Sequence, residues 1–147
     1  MRRYVMEFIG TFFLVLTICF AVRTTDFAPL AIGAVLTAMV FAGGHISGAH
    51  YNPAVTLAVF LRGRLDAKDV LPYMGAQVVG ALAAALLSFV AFNRRSSSFD
   101  MSGREMVAAF LVELLFTFAL AFVILNVATS KSHPNNSFYG LAIGFTV

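Results

Sequence analysis

Charged residues are swept out of most of this chain and gathered between its apolar runs. Residues 27–61 and 70–93 contain no Asp, Glu, Lys or Arg, while residues 5–22 and 106–130 contain one acid each, Glu7 and Glu113. About 20 apolar residues cross the hydrocarbon of a bilayer, so each of these runs has membrane length. A fifth run opens near Phe138 and is too short to cross by Val147, so the chain is expected to stop within a span. The connections are short, 23–29, 62–69, 93–105 and 130–137, the last with Pro134 and two Asn as breakers. None reads as a linker, and residues 1–147 are taken as one domain.

The run 27–61 is too long for one span and is interrupted by Gly43-Gly44 and Ser47-Gly48. If residues 27–42 cross, residues 43–61 must enter the membrane and return on the same side. Asn52-Pro53 explains how: Asn is a preferred N-cap and Pro a preferred first helical residue, so a short helix starts abruptly there and runs to Leu61. At 1.5 Å per residue it covers roughly 15 Å, half the hydrocarbon, which puts its start near the midplane. Its unpaired N–H groups and positive dipole end then face the protein centre, and the extended stretch from Gly43 to Tyr51 offers carbonyls along the way in. Such backbone is tolerated at membrane depth only when packed in protein or lining a watery cavity. A file of acceptors, an Asn amide donor and a positive field suit small uncharged solutes and disfavour cations and protons.

Two internal matches suggest a repeat. Glu7-Phe-Ile-Gly-Thr11-Phe12 aligns with Glu113-Leu-Leu-Phe-Thr117-Phe118, and Leu30-Ala-Ile-Gly33 with Leu141-Ala-Ile-Gly144. Three spans separate the two acids, so corresponding helices run oppositely and the repeat is inverted, with a first unit at 1–92 and a second opening at 105–147. Leu-Ala-Ile-Gly is a cheap string, but an acid in each first helix is not, since a carboxylate at membrane depth costs at least about 2.5 kcal/mol.

Composition agrees with the pattern: 60% of residues are hydrophobic and 12% charged, with a mean hydropathy of +0.88. The net charge of +3 is spread over the connections rather than clustered, which speaks against nucleic-acid binding. Six Lys and Arg fall on the side of the N-terminus (2, 3, 62, 64, 68, 131) and four opposite (23, 94, 95, 104), which puts the N-terminus in the cytoplasm of a plasma-membrane protein. Asn135-Asn136-Ser137 matches a glycosylation pattern but falls on the cytoplasmic side. A cleavable signal at the N-terminus is disfavoured by Glu7. The lone Cys19 is read as packing, His45 and His50 lack partners for a metal site, and no constellation suggests an enzyme or a cofactor. Gly75, Gly80 and Ala84 give the third span a small-residue face for close helix approach.

The string Gly44-His-Ile-Ser-Gly-Ala-His-Tyr-Asn-Pro-Ala-Val-Thr56, preceded by Glu7-Phe-Ile-Gly-Thr11 and followed by Gln77, resembles the aquaporin and glycerol-channel family, the major intrinsic proteins. The resemblance runs over the whole chain. It implies an all-α membrane protein, an inverted-repeat bundle of which this chain holds four spanning helices, one re-entrant half helix and the start of a fifth span. A second Asn-Pro-Ala is expected near position 163 by the repeat offset, so a chain ending at Val147 could also be a non-conducting remnant that joins full-length subunits. An ion-coupled transporter is the remaining alternative.

By the same resemblance, Asn52, Pro53 and Ala54 form the pore motif, and the carbonyls of Gly48, Ala49, His50 and Tyr51 form the acceptor ladder. Glu7, Glu113, Gln77 and His45 become supports of the re-entrant loops, in preference to a proton relay through the two acids. Ile32 takes a filter position that strictly water-selective members fill with Phe, which widens the constriction unless Ile32 is merely packed between helices. The implied partners are water, small neutral solutes such as glycerol, the lipid bilayer and three further copies in a homotetramer.

Overall fold

A computed structural model describes residues 1–92, 101–132 and 136–147. Arg94 and Arg95 of the charge balance, and Pro134 and Asn135 of the fourth connection and its glycosylation pattern, lie outside the described residues. The described chain is helical: α1 Arg2–Thr24, α2 Ala28–Ser47, α3 Pro53–Leu61, α4 Ala67–Phe92, α5 Gly103–Thr129 and α6 Tyr139–Gly144. Among these, α1, α2, α4 and α5 are long and apolar enough to cross a membrane.

Several boundaries have a local cause. Pro29 sits in the first turn of α2, and Pro53 opens α3 behind the Asn52 cap. Gly63, at φ +72°, turns the chain out of α3 while Gly63 N–H and Arg64 N–H satisfy the carbonyls of Phe60 and Val59 at 2.8 and 3.0 Å. Ser102 and Glu105 form a reciprocal capping box at the start of α5. The expected interruption at Gly43-Gly44 is displaced: α2 runs on to Ser47 and stops at Gly48, whose φ of +89° makes the left-handed cap. Gly43 and Gly44 stay helical, and their missing side chains make room for Tyr51 and Tyr139. The non-helical segment before Asn52 is therefore four residues, Gly48 to Tyr51, rather than nine, and it is not extended, since Gly48, Ala49 and Tyr51 have left-handed φ.

Packing is inside-out relative to a water-soluble protein. Glu7, Thr56 and Gln77 are at most 1% exposed, whereas Leu30, Leu82 and Phe116 are more than 60% exposed. The inward stripe of α4, namely Asp69, Tyr73, Gln77, Gly80, Ala84 and Ser88, follows helical spacing and gathers most of that helix's polar residues. Burying polar groups against each other while Leu and Phe face outward is favourable only when the surroundings are apolar. The α1–α4 contact is the most extensive, and the two helices approach closely at Gly80, where an added methyl would lie 2.6 Å from the Phe8 carbonyl oxygen. Ala84 is fully buried on the same face, while Gly75 has open space around it and belongs to another.

The seam between α2 and α6 bears on the repeat. A methyl on Gly33 would sit 2.7 Å from the Gly144 carbonyl, and one on Gly144 would sit 2.5 Å from the Gly33 carbonyl. These are the two glycines that the internal alignment pairs.

Candidate functional site

The turn between α2 and α3 is held by one carboxylate. Glu7, in the first third of α1, is completely buried and accepts four hydrogen bonds. Its Oε1 takes the Ser47 hydroxyl at 2.6 Å and the His50 N–H at 3.0 Å. Its Oε2 takes the Tyr51 N–H at 2.7 Å and the Gln77 amide at 2.8 Å. Two successive backbone N–H groups converging on an anion form a nest, and a nest needs left-handed residues. Ala49 and Tyr51 supply them at φ +53° and +51°, a conformation that costs a non-glycine residue roughly 1–2 kcal/mol each. The charge-assisted bonds to Glu7 offset that strain.

The direction of the carbonyls follows from these N–H groups. In a planar trans peptide the C=O points opposite to the N–H of the next residue. The N–H groups of Ala49, His50 and Tyr51 go to Ser47 Oγ at 3.1 Å and to the two oxygens of Glu7. The carbonyls of Gly48, Ala49 and His50 must therefore point away from Glu7, and none of them accepts a hydrogen bond among the described residues. The fourth expected ladder member differs: the Tyr51 carbonyl accepts from Thr11 Oγ1 at 3.2 Å. Ser47 O is likewise occupied, by the Tyr73 hydroxyl at 2.8 Å.

Asn52 starts α3 as a cap. Its Oδ1 accepts from Ala54 N–H at 2.7 Å and from Val55 N–H at 3.4 Å, and its backbone carbonyl accepts from Thr56 N–H and Oγ1. With the oxygen engaged, the amide Nδ2 donates to nothing among the described residues. Pro53 and Ala54 lie exposed at the helix start. Gln77 ties the two halves of the site together, since its Nε2 also reaches Thr56 Oγ1 at 2.8 Å. The reversed amide would turn Oε1 towards the carboxylate, so the orientation is dictated by Glu7. His50 Nδ1 lies 3.2 Å from the same hydroxyl, and its ring packs on Tyr73.

Two chambers flank the turn. One of about 500 Å³ is lined by Arg3, His45, Gly48, His50, Arg64 and Tyr73, among others. The other, about 390 Å³, is lined by Leu14, Leu36, Ala49, His50, Asn52 and Glu113, among others. Both have His50 and Ile124 in their walls. Gly48 thus belongs to the wall of the first chamber, Ala49 and Asn52 to that of the second, and His50 to both.

Not every expected residue joins this site. His45 is exposed on α2 in the wall of the first chamber, with no side-chain hydrogen bond among the described residues, so the structure does not give it a bracing contact. Glu113 is exposed, accepts from Thr117 Oγ1 one turn on at 3.3 Å, and touches no re-entrant turn among the described residues. Ile32 is half-buried on α2, one turn before Leu36, which lines the chamber. Cys19 is half-buried. Thr11, Ser47, Thr56 and Tyr73 were not singled out from the sequence. Tyr73 was legible as the residue four before Gln77 on a polar stripe, and Thr11 as the residue four after Glu7 in the repeated string.

Comparison with known proteins follows the same outline. The profile of the major intrinsic protein family matches residues 1–147. The chain is 43% identical to glycerol uptake facilitator protein-like 6 of Lactiplantibacillus plantarum, over 100% of this chain and 72% of that protein. It is 36% identical to aquaporin Z of Brucella melitensis, over 95% and 70%. It is 34% identical to the probable aquaporin NIP4-2 of Arabidopsis thaliana, over 99% and 55%.

Proposed function

Because the chain belongs to the major intrinsic protein family, we propose that it builds one half of a passive pore for water and small neutral solutes such as glycerol. It is an integral, multi-pass membrane protein. The observation that carries the proposal is the division of labour on residues 47–52. Every N–H from Ala49 to Tyr51 is consumed by Ser47 and Glu7, which leaves the carbonyls of Gly48, Ala49 and His50 as acceptors and Asn52 Nδ2 as a donor. A solute that both donates and accepts can exchange its water hydrogen bonds for these one at a time. A cation meets the positive end of α3 instead.

In this reading residues 1–92 and 105–147 belong to the two inverted repeats, the N-terminus faces the cytoplasm of a plasma-membrane protein, and four copies assemble. Glu113 supports a second re-entrant turn as Glu7 supports the first, and Ile32 leaves the filter wide enough for polyols. Swelling of liposomes holding the purified full-length protein, with both halves of the pore present, tests the reading. Water and glycerol gradients are expected to collapse faster than in protein-free vesicles, with no response to an imposed proton or sodium gradient. Asn52→Asp keeps the capping oxygen and removes the amide donor. It is expected to fold normally and to lower neutral-solute flux; unchanged flux would remove Asn52 from the pore.

A further inference from the structure

The side chain of Tyr51 has no part in the acceptor file, yet it is 2% exposed and pinned more tightly than its neighbours. Its ring enters a slot formed by two glycines on different helices: a methyl added at Gly10 of α1 would coincide with the ring, and one at Gly43 of α2 with the hydroxyl. At the end of the slot the hydroxyl donates to the Met39 carbonyl of α2 at 2.8 Å. The same residue donates its N–H to Glu7 and accepts the Thr11 hydroxyl at its carbonyl, both partners on α1. Tyr51 is thus bonded to both α1 and α2, while holding a left-handed φ that it would otherwise leave.

We propose that the Tyr51 phenol is a positioning residue that locks the His50–Tyr51 peptide, and thereby sets how strictly the carbonyl file discriminates between water and larger polyols. This rests on the channel reading above. The Tyr51 N–H and the His50 carbonyl belong to one rigid peptide plane, so any rocking of Tyr51 swings the His50 oxygen by the same angle. The ring resists rocking through its fit between Gly10 and Gly43, and the hydroxyl fixes its depth. A phenylalanine keeps the fit and loses the depth.

Liposomes carrying the full-length protein, Tyr51→Phe, Gly43→Ala and the double variant provide the test, with glycerol and water permeability measured on each and thermal midpoints in detergent measured in parallel. Tyr51→Phe is expected to fold and to raise the glycerol-to-water ratio by about twofold to tenfold, the population shift that one hydrogen bond controls. Gly43→Ala, whose methyl takes the place of the hydroxyl, is expected to lower the midpoint and disturb the ratio. Adding Tyr51→Phe to it is expected to recover part of the midpoint, because the worst overlap is with the hydroxyl and the next atoms in the way are Met6 Cε and Cγ at 2.9 and 3.0 Å, on an unbranched and adaptable side chain. A ratio unchanged in Tyr51→Phe while the parent conducts overturns the proposal. So does a double variant no more stable than Gly43→Ala. A parent that swells no faster than empty vesicles overturns the channel reading instead, and the stability cycle still decides whether the lock exists.

Discussion

Replacing Glu7 by Gln changes one atom's chemistry and keeps the side chain's shape, so its cost is readable from the four bonds. Three of the partners, His50 N–H, Tyr51 N–H and the Gln77 amide nitrogen, can only donate, and the Ser47 hydroxyl does so here. A carboxamide supplies one accepting oxygen where there were two. With its nitrogen at the Oε1 position, Ser47 can rotate and accept, but His50 N–H is stranded. With its nitrogen at Oε2, Gln77 can turn over, but Tyr51 N–H is stranded. Either arrangement leaves one buried backbone donor without a partner, at about 1–3 kcal/mol. The surviving bonds fall from charge-assisted to neutral, a loss of roughly 1 kcal/mol each. Burying an amide instead of a carboxylate returns part of this, so the net destabilisation expected is about 2–4 kcal/mol.

The assay is the unfolding midpoint of the 147-residue chain in mixed micelles titrated with denaturing detergent, followed by helical circular dichroism. Glu113→Gln is the matched control, because Glu113 is exposed and receives only the Thr117 hydroxyl at 3.3 Å; it is expected to shift stability by less than about 0.5 kcal/mol. Equal midpoints for Glu7→Gln and the parent would refute the account of the turn as strained backbone held by a buried anion. Full stability of Glu7→Gln together with a new response to a proton gradient would point to the relay that the geometry argues against.

Three further outcomes are expected. Gly80→Leu forces α1 and α4 apart at the Phe8 carbonyl and is expected to lose at least about 1–3 kcal/mol and most of the folded yield, whereas Gly75→Leu, with open space around it, is expected to fold; detergent-solubilised yield on size exclusion distinguishes them. Tyr73→Phe removes the donor to Ser47 O and is expected to cost about 0.5–1.5 kcal/mol in the same titration. Ser102→Ala deletes the capping box of α5 and is expected to cost about 1 kcal/mol, seen as faster amide exchange confined to the first turn after Gly103.

Much of the fold is legible in the sequence because charge depletion and helix punctuation are local signals. Asn52-Pro53 fixes the start of α3, and four charge-poor runs fix the spanning helices, without reference to anything distant. The end of α2 was not legible in the same way. Gly43-Gly44 reads as a break, yet both residues remain helical, because what they serve is the entry of Tyr51 and Tyr139 from elsewhere in the chain. A glycine that relieves backbone strain and one that admits a side chain look identical in one dimension. The acceptor ladder shows the same limit: four carbonyls are equivalent by position, and only the approach of Thr11 from α1 distinguishes Tyr51 from the rest.

The turn between α2 and α3 is better understood as a consequence of Glu7 than as a property of Asn-Pro-Ala. The motif supplies a cap and a helix start, and any Asn-Pro at the head of an apolar helix could do as much. What converts the preceding residues into a file of free carbonyls is that their N–H groups all have better partners on one side: Ser47 Oγ, itself bonded to Glu7, and the two oxygens of Glu7. Planarity of the peptide then sends the carbonyls to the other side without any group having to hold them there. A buried anion that consumes donors therefore exposes acceptors. That coupling explains why an acid is retained inside α1 at the cost of its desolvation, and why Gln77 and Thr56 are spent on bracing the acid and the cap rather than on facing the chambers.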